Sequence, residues 1–117
     1  MSTNLGKTWE SKKTEETRNV EKTLKACFDH VDSYRYNSAS VRIRVVDHRF
    51  EGLSRDERER LLDKAITKLP ESIQRDVVFV LCLTPDELIV KPGDSDPNQM
   101  RNAMFNDEFE NPQPSRL

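Results

Sequence analysis

The sequence predicts an α+β domain in which helices pack on one face of a three-stranded mixed sheet. Two segments predict strands: residues 41–46 alternate between apolar and polar side chains, and residues 76–84 are apolar on both faces. Between them, Ser54 and Glu57 form the capping box of an amphipathic helix. Together with the flanking segments, the expected order is helix, strand, strand, helix, strand, short helix.

The first part of this domain is predicted to contain one helix and one hairpin. Thr14 is a suitable N-cap, and the helix is expected to end near Asp29. Its apolar stripe consists of Val20, Leu24, Cys27 and Phe28. Residues 31–36 should form the first strand, which a turn at residues 37–40 joins to the second, antiparallel strand.

The second part is predicted to form the crossover to the third strand. The second helix carries its apolar stripe at residues 61–69 and ends at Pro70. Because strand, helix and strand follow in this order, the third strand should pair in parallel with the second. A helical turn is expected to begin at Pro85, after which residues 88–90 return to the core.

The two termini are predicted to lie outside this domain, which spans residues 14–91. Residues 1–13 are polar and are expected to form a flexible arm, with Trp9 either loosely packed or an anchor for a partner. Residues 92–117 contain two basic and five acidic residues and form either a disordered acidic tail or a short docking helix. In the second case, Met and Phe side chains would dock on the open sheet face or on a partner. These side chains are Met100, Met104, Phe105 and Phe109.

Composition and charge argue against a membrane protein and against broad contacts with nucleic acid. The chain has 117 residues, a formal net charge of −2 and 34% charged residues, whereas nucleic-acid-binding domains usually carry a clear basic excess. No apolar run approaches the roughly 20 residues of a membrane span, and the first residues lack the apolar region of a signal peptide. Two cysteines make no disulfide framework. These features predict a cytoplasmic protein.

Four motifs resemble those of BolA-like proteins. They are SYRYN at residues 33–37, VRIRVVDHRFEGLS at 41–54, RDERERLLDKAI at 55–66 and LTPDEL at 83–88. The segment that contains them, from about Arg18 to Leu88, covers about 60% of the chain. The resemblance implies the α-β-β-α-β-α arrangement that this family shares with type II KH domains.

For function, the resemblance implies binding rather than catalysis. BolA-like proteins are non-enzymatic proteins that partner monothiol glutaredoxins, often over a shared iron–sulfur cluster, and some are stress-linked transcription regulators. The histidine that binds the cluster in the family corresponds here to Glu59, and the loop at residues 37–40 carries neither histidine nor cysteine. A carboxylate suits an iron–sulfur cluster poorly, so we expect no bound cofactor or metal.

The predicted partner-binding surface combines the second strand, the loop that follows it and the start of the second helix. Phe50 is the best candidate for its anchor, because aromatic residues and arginines dominate binding hot spots. Alternatively, Phe50 fills the core beneath the loop. The candidate residues are Arg42, Arg44, His48, Arg49, Phe50, Glu51, Arg55, Arg58 and Glu59.

Nucleic-acid binding, as in a transcription regulator, is the alternative function. Arg42 and Arg44 lie two residues apart on one strand face, and together with the arginines of the helix start they could contact phosphates. A KH-type domain would clamp the backbone with a G-x-x-G loop, which the sequence does not contain.

An enzyme is not expected, because no catalytic constellation is present. The side chains suited to act as nucleophile or base at neutral pH are Cys27, His30, His48 and Cys82. The spacing of Cys27 and His30 resembles half of a metal site, but it is more typical of a core cysteine and a histidine at a helix end. A residual metal role through His30, His48 or Cys82 stays open.

Overall fold

The computed structural model describes residues 8–88 and 96–114. The helices are α1 (Glu15–Lys25), α2 (Arg55–Ile66), α3 (Glu71–Asp76) and α4 (Pro97–Glu110), and the strands are β1 (His30–Asn37), β2 (Ser40–Val46) and β3 (Val77–Leu83). Three 3₁₀ turns lie at Thr8–Lys12, His48–Phe50 and Pro85–Leu88. The α+β class is therefore confirmed.

The three strands form one mixed sheet in the order β1-β2-β3. The hairpin β1–β2 is antiparallel, and β3 pairs in parallel with β2, as the crossover through α2 requires. Along β3 the register shifts once, so that Val78 is skipped between the pairs that Val77 and Phe79 make with β2. β1 and β3 are the two edge strands of this sheet.

Local sequence signals account for the helix starts. Thr14 and Thr17 form a capping box at α1, and Ser54 and Glu57 form the predicted one at α2. The predicted helix ends were too late, because α1 ends at Lys25 and α2 ends at Ile66. The short helix α3, which has no apolar periodicity of its own, was not predicted.

The first core lies between the sheet and the helices α1 and α2. The alternating β2 side chains Val41, Ile43 and Val45 meet Leu24 of α1 and Leu62 of α2, and all five are fully buried. This arrangement confirms that α1 and α2 share one face of the sheet, since alternate strand residues point to the same side.

The second core lies on the opposite face, beneath α4 and the turn Thr8–Lys12. It contains the buried side chains of Trp9, Tyr34, Leu81, Leu83 and Phe109. The expectation of a loosely packed or partner-bound tryptophan was wrong, because Trp9 packs 5.4 Å from Phe109 and 6.0 Å from Tyr34. The apolar character of both faces of β3 required this second cover.

The C-terminal segment takes the helical alternative over residues 97–110. Phe109 is its buried anchor and Phe105 packs beside it, whereas Met100 and Met104 are exposed and do not dock on the sheet. Leu88 is also exposed, contrary to expectation, and the predicted return of Ile89 and Val90 to the core lies outside the described residues. None of the described helices is both long and apolar enough to cross a bilayer.

Candidate functional site

Arg42 and Arg44 do not form the exposed face that the sequence predicts. Their relative exposure is 9% and 6%, because α4 covers them. The guanidinium of Arg44 lies 2.7 Å from Asp32 Oδ2 and 2.6 Å from Glu110 Oε2, and it also donates to Asn106. Phosphate contacts by this arginine would require α4 to leave the sheet.

Arg42 is held between aromatic rings and the end of α4. Its guanidinium carbon lies 3.9 Å from the ring centroid of Tyr36 and 4.9 Å from that of Phe79. Its Nη1 donates to Glu108 Oε2 at 2.8 Å and to Tyr34 Oη at 3.2 Å, while its buried Nε has no partner among the described residues. Arg42 therefore fastens α4 to the sheet rather than facing a ligand.

Phe50 is not a surface anchor. It is completely buried and packs 5.8 Å from the ring of Phe28 in the first core. The second of the two interpretations, a plug beneath the loop, describes its position, because its side chain belongs to the first core.

The loop after β2 is organised by Asp47. This buried carboxylate caps the 3₁₀ turn and accepts hydrogen bonds from the backbone and guanidinium of Arg49 and from the backbone N–H of Asp29. The guanidinium of Arg49 holds the pKa of Asp47 at about 2. Glu51 is exposed, and Gly52 turns the chain with a φ of 79°.

His48 lies beside Asp29 on the outside of this loop. Its Nδ1 is 2.5 Å from Asp29 Oδ2, and this hydrogen bond raises the pKa of His48 and lowers that of Asp29. Asp29, Asp47 and His48 form the one group of three potential metal ligands found in residues 8–88 and 96–114. Asp47 already accepts four hydrogen bonds there, so this group stabilises the conformation of the loop.

His30 and Cys82 do not join His48. His30 lies at the start of β1, where its Nε2 is 2.9 Å from Asp32 Oδ2, so it does not end α1 as predicted. Cys27 contacts the first core and has Lys68 Nζ 3.5 Å from its sulfur. Cys82 lies on β3, where burial raises the pKa of its thiol to about 12.

The remaining predicted residues, Arg55, Arg58 and Glu59, line a groove. We call it the β3 groove, and it consists of two adjoining cavities of about 380 Å³ and 240 Å³. Both cavities are lined by Arg55, Glu59, Val80 and Phe105. The floor is β3, one wall is the start of α2, and the other wall is the first half of α4, with Asn98, Arg101, Asn102 and Phe105.

The floor of this groove is an open edge of the sheet. The carbonyl of Leu83 accepts from the backbone of Asp47 at the end of β2, whereas the carbonyl of Cys82 accepts from Arg58 on the other side. Because successive strand residues direct their backbone groups to alternate sides, Val80 directs its N–H and C=O away from β2. The cavities touch β3 from Val78 to Cys82, a length of about 13 Å.

Charged side chains on the walls of the β3 groove are partly paired. Arg58 Nη1 lies 2.6 Å from Glu87 Oε1, and Arg55 Nε lies 3.0 Å from Glu59 Oε2. Burial raises the pKa of Glu87, but hydrogen bonds from Arg58 and Thr84 outweigh that effect and leave it lowered. Arg101 is exposed and forms no ion pair with any described residue.

Sequence reasoning missed the α4 wall of the groove. Its residues Asn98, Arg101, Asn102 and Phe105 follow the i, i+3, i+4, i+7 spacing of one helix face, and this spacing was readable. The sequence contained no signal that this face would stand beside the edge of β3.

Comparisons of the chain with protein families, with curated proteins and with solved structures found no match.

Proposed function

We propose that this chain is a non-enzymatic protein-interaction domain that binds an extended segment of its partner in the β3 groove. The observation that carries the proposal is the open edge of β3, which forms the groove floor over its length from Val78 to Cys82. An edge strand offers unpaired backbone groups that an added strand can use.

The walls of the groove favour this mode of binding. The cavities lie beside β3 between α2 and α4, and the two helices restrict access by a second sheet. Val78, which the register shift leaves out of the ladder, is 68% exposed at one end of the groove. A peptide laid along β3 would cover this valine and pair with the outward backbone groups of Val80.

The charges of the groove indicate what the peptide should carry. Arg55, Arg58 and Arg101 face two carboxylates, Glu59 and Glu87. Two of these arginines are paired within the groove, which leaves Arg101 to bind an anionic side chain of the partner. Phe105 and Val80 offer apolar contact at the centre, so we expect an extended segment with one acidic and one apolar residue.

The chemistry of the groove supports binding over catalysis. Cys82 is the nucleophile candidate that lines it, and burial raises the pKa of its thiol to about 12. Such a thiol holds very little thiolate at neutral pH. Glu59, which replaces the family's cluster-binding histidine, is paired with Arg55 at 3.0 Å, and this supports a domain without a cluster ligand at that position.

Because the sequence resembles BolA-like proteins, monothiol glutaredoxins are the partner class to test first. The start of α2 carries the resemblance and also forms one groove wall, so such a partner would meet Arg55, Arg58 and Glu59. Calorimetric titration with a purified monothiol glutaredoxin, in the presence and absence of iron and sulfide, measures this directly.

The peptide-binding proposal is tested by selecting binders from a random peptide library with the wild-type chain. We expect a family of related extended peptides whose affinity falls at least about tenfold in Asn102→Trp, because the indole fills the groove. Met104→Trp is the matched control, since Met104 is two residues away on the same helix and 71% exposed.

Circular dichroism and thermal unfolding would establish that both variants keep the fold. A library that yields no enriched peptides, or peptides that bind Asn102→Trp as tightly as wild type, would remove the β3 groove as the binding site.

A further inference from the structure

A second cleft lies between the end of α1 and the outer face of α2. It consists of two cavities of about 230 Å³ and 260 Å³ that share Leu61 and Lys64. We call it the α1–α2 cleft. It lies on a different flank of α2 from the β3 groove, because the two share only Leu53 at the start of that helix.

The cleft is basic although the chain as a whole is acidic. Four cationic side chains line it, Arg49, Arg60, Lys64 and Lys68, against the single carboxylate of Glu57. That carboxylate is engaged, because it accepts a hydrogen bond of 2.9 Å from the backbone N–H of Ser54 in the capping box. The net formal charge of the whole chain is −2, so this concentration of positive charge is local.

Two of these four cations, Arg60 and Lys64, are free to bind an anion. Arg49 is paired with Asp47 at 2.9 Å, and Lys68 Nζ lies 3.5 Å from Cys27 Sγ. Within the part of the chain that the structure describes, Arg60 and Lys64 form no ion pair. Exposed unpaired cations on one helix face recognise acidic surfaces through charge complementarity.

The centre of the cleft is apolar. Leu61 is 41% exposed although it belongs to the predicted apolar stripe of α2, and Phe28, Phe50 and Ala65 line the base of the cavity next to it. An exposed leucine beside a concave apolar site is a place where a partner side chain can insert. A membrane surface instead takes up apolar side chains that protrude, so this concave site fits a protein.

We propose that the α1–α2 cleft docks an acidic amphipathic helix of a partner protein. Arg60, Leu61 and Lys64 lie on one flank of α2, where Arg60 and Lys64 are about 6 Å apart along the helix axis, and Lys68 lies in the turn after the helix end. A helix lying beside α2 inserts an apolar side chain against Leu61 and places its flanking carboxylates next to Lys64 and Arg60. With the β3 groove on the other flank, the domain holds two partner segments at once, as an adaptor does.

The test is an NMR titration of the full chain with a synthetic helical peptide of about 14 residues that carries leucines on one face and glutamates elsewhere. We expect amide shifts at Leu61, Lys64 and Lys68, protection of the Cys27 thiol from alkylation, and affinity that weakens as salt is raised. A peptide with lysine in place of glutamate, and one with serine in place of leucine, should not bind.

Variants locate the site. Lys64→Glu combined with Lys68→Glu should weaken binding at least about tenfold, and Leu61→Ser should do the same without changing the charge. Arg18→Glu combined with Lys22→Glu is the matched control, since it makes the same change in net charge on the exposed face of α1, and it should retain binding within about twofold.

Three results would overturn the proposal. In the first, the acidic peptide shifts no amides or shifts those of Val80 and Asn102 in the β3 groove instead. In the second, the control variant loses as much affinity as the Lys64/Lys68 variant. In the third, vesicles of phosphatidylserine and phosphatidylcholine bind the chain while the acidic peptide does not. Because the β3 groove plays no part in this experiment, its outcome is independent of the library selection.

Discussion

On one face of the sheet α1 and α2 cover valines and an isoleucine, whereas on the other face α4 covers arginines, tyrosine and leucine. The first face is held by apolar burial around Val41, Ile43 and Val45, which does not depend on direction or charge. The second face contains Arg42 and Arg44, each paired with carboxylates of α4 and in contact with aromatic rings.

The strand β2 therefore contributes to two cores that are stabilised differently, one by apolar burial and one by buried ion pairs. Buried ion pairs stabilise only while every partner is in place, since the loss of one partner leaves a desolvated charge. The α4 face therefore depends on one anchor, Phe109, and on a set of ion pairs. We expect α4 to be released as a unit, with the first face intact.

The largest expected effect is on the anchor of each face. Phe109→Ala and Phe50→Ala both remove a completely buried ring and should lower the free energy of unfolding by about 3–5 kcal/mol. In Phe109→Ala we expect hydrogen exchange to accelerate in α4 and the turn Thr8–Lys12, whereas Phe50→Ala should accelerate it throughout. Equal acceleration everywhere in both variants would show that the faces unfold together.

The second prediction compares the two arginines. Arg44→Ala leaves the buried Asp32 without its 2.7 Å partner and should destabilise the fold by about 3 kcal/mol. Arg42→Ala should have a smaller effect, because Glu108 is partly exposed and water can hydrate it. Urea unfolding of both variants measures the difference in their free energies of unfolding. Adding Asp32→Ala to Arg44→Ala should restore part of the lost stability, because it removes the unpaired buried carboxylate. A greater loss of stability in Arg42→Ala than in Arg44→Ala would contradict the larger role given to the Arg44–Asp32 ion pair.

The smallest expected effect on stability comes from removing the charge of Asp47, in the loop beside the first core. The pKa of Asp47 falls from its ordinary 3.8 to about 2 in the folded state, so its contribution is complete above the unfolded value and is lost as the pH falls toward 2. Asp47→Asn should therefore remove about 2 kcal/mol at neutral pH and flatten the decline in stability below pH 4.

Unfolding curves in urea at several pH values, for wild type and Asp47→Asn, give this difference. If the two curves fall in parallel between neutral and acid pH, the acid sensitivity of the molecule belongs entirely to other groups.

The features that the sequence predicted are those set by neighbours along the chain. The capping box of Ser54 and Glu57 needs only four consecutive residues, and the strand β2 needs only its alternation. The parallel pairing of β3 followed from the order of elements, because a right-handed crossover is the rule.

What could not be predicted depends on distant partners. Arg42 and Arg44 look like a solvent-facing pair within their strand, and the side chains that bury them lie more than 60 residues later, in α4. Phe50 was ambiguous for the same reason, since its packing against Phe28 is tertiary. The β3 groove arises where α4 lies beside the edge of β3. The sequence pointed to the residues of one wall, at the start of α2, but not to those of the other wall, on α4.

If a partner segment adds to the open edge of β3, the change should be measurable as amide hydrogen exchange at Val80. The Val80 amide points into the groove in the free protein, and we expect it to become protected at least about tenfold when a peptide selected by the wild-type chain is bound. A bound peptide that leaves exchange at Val80 unchanged would contradict it.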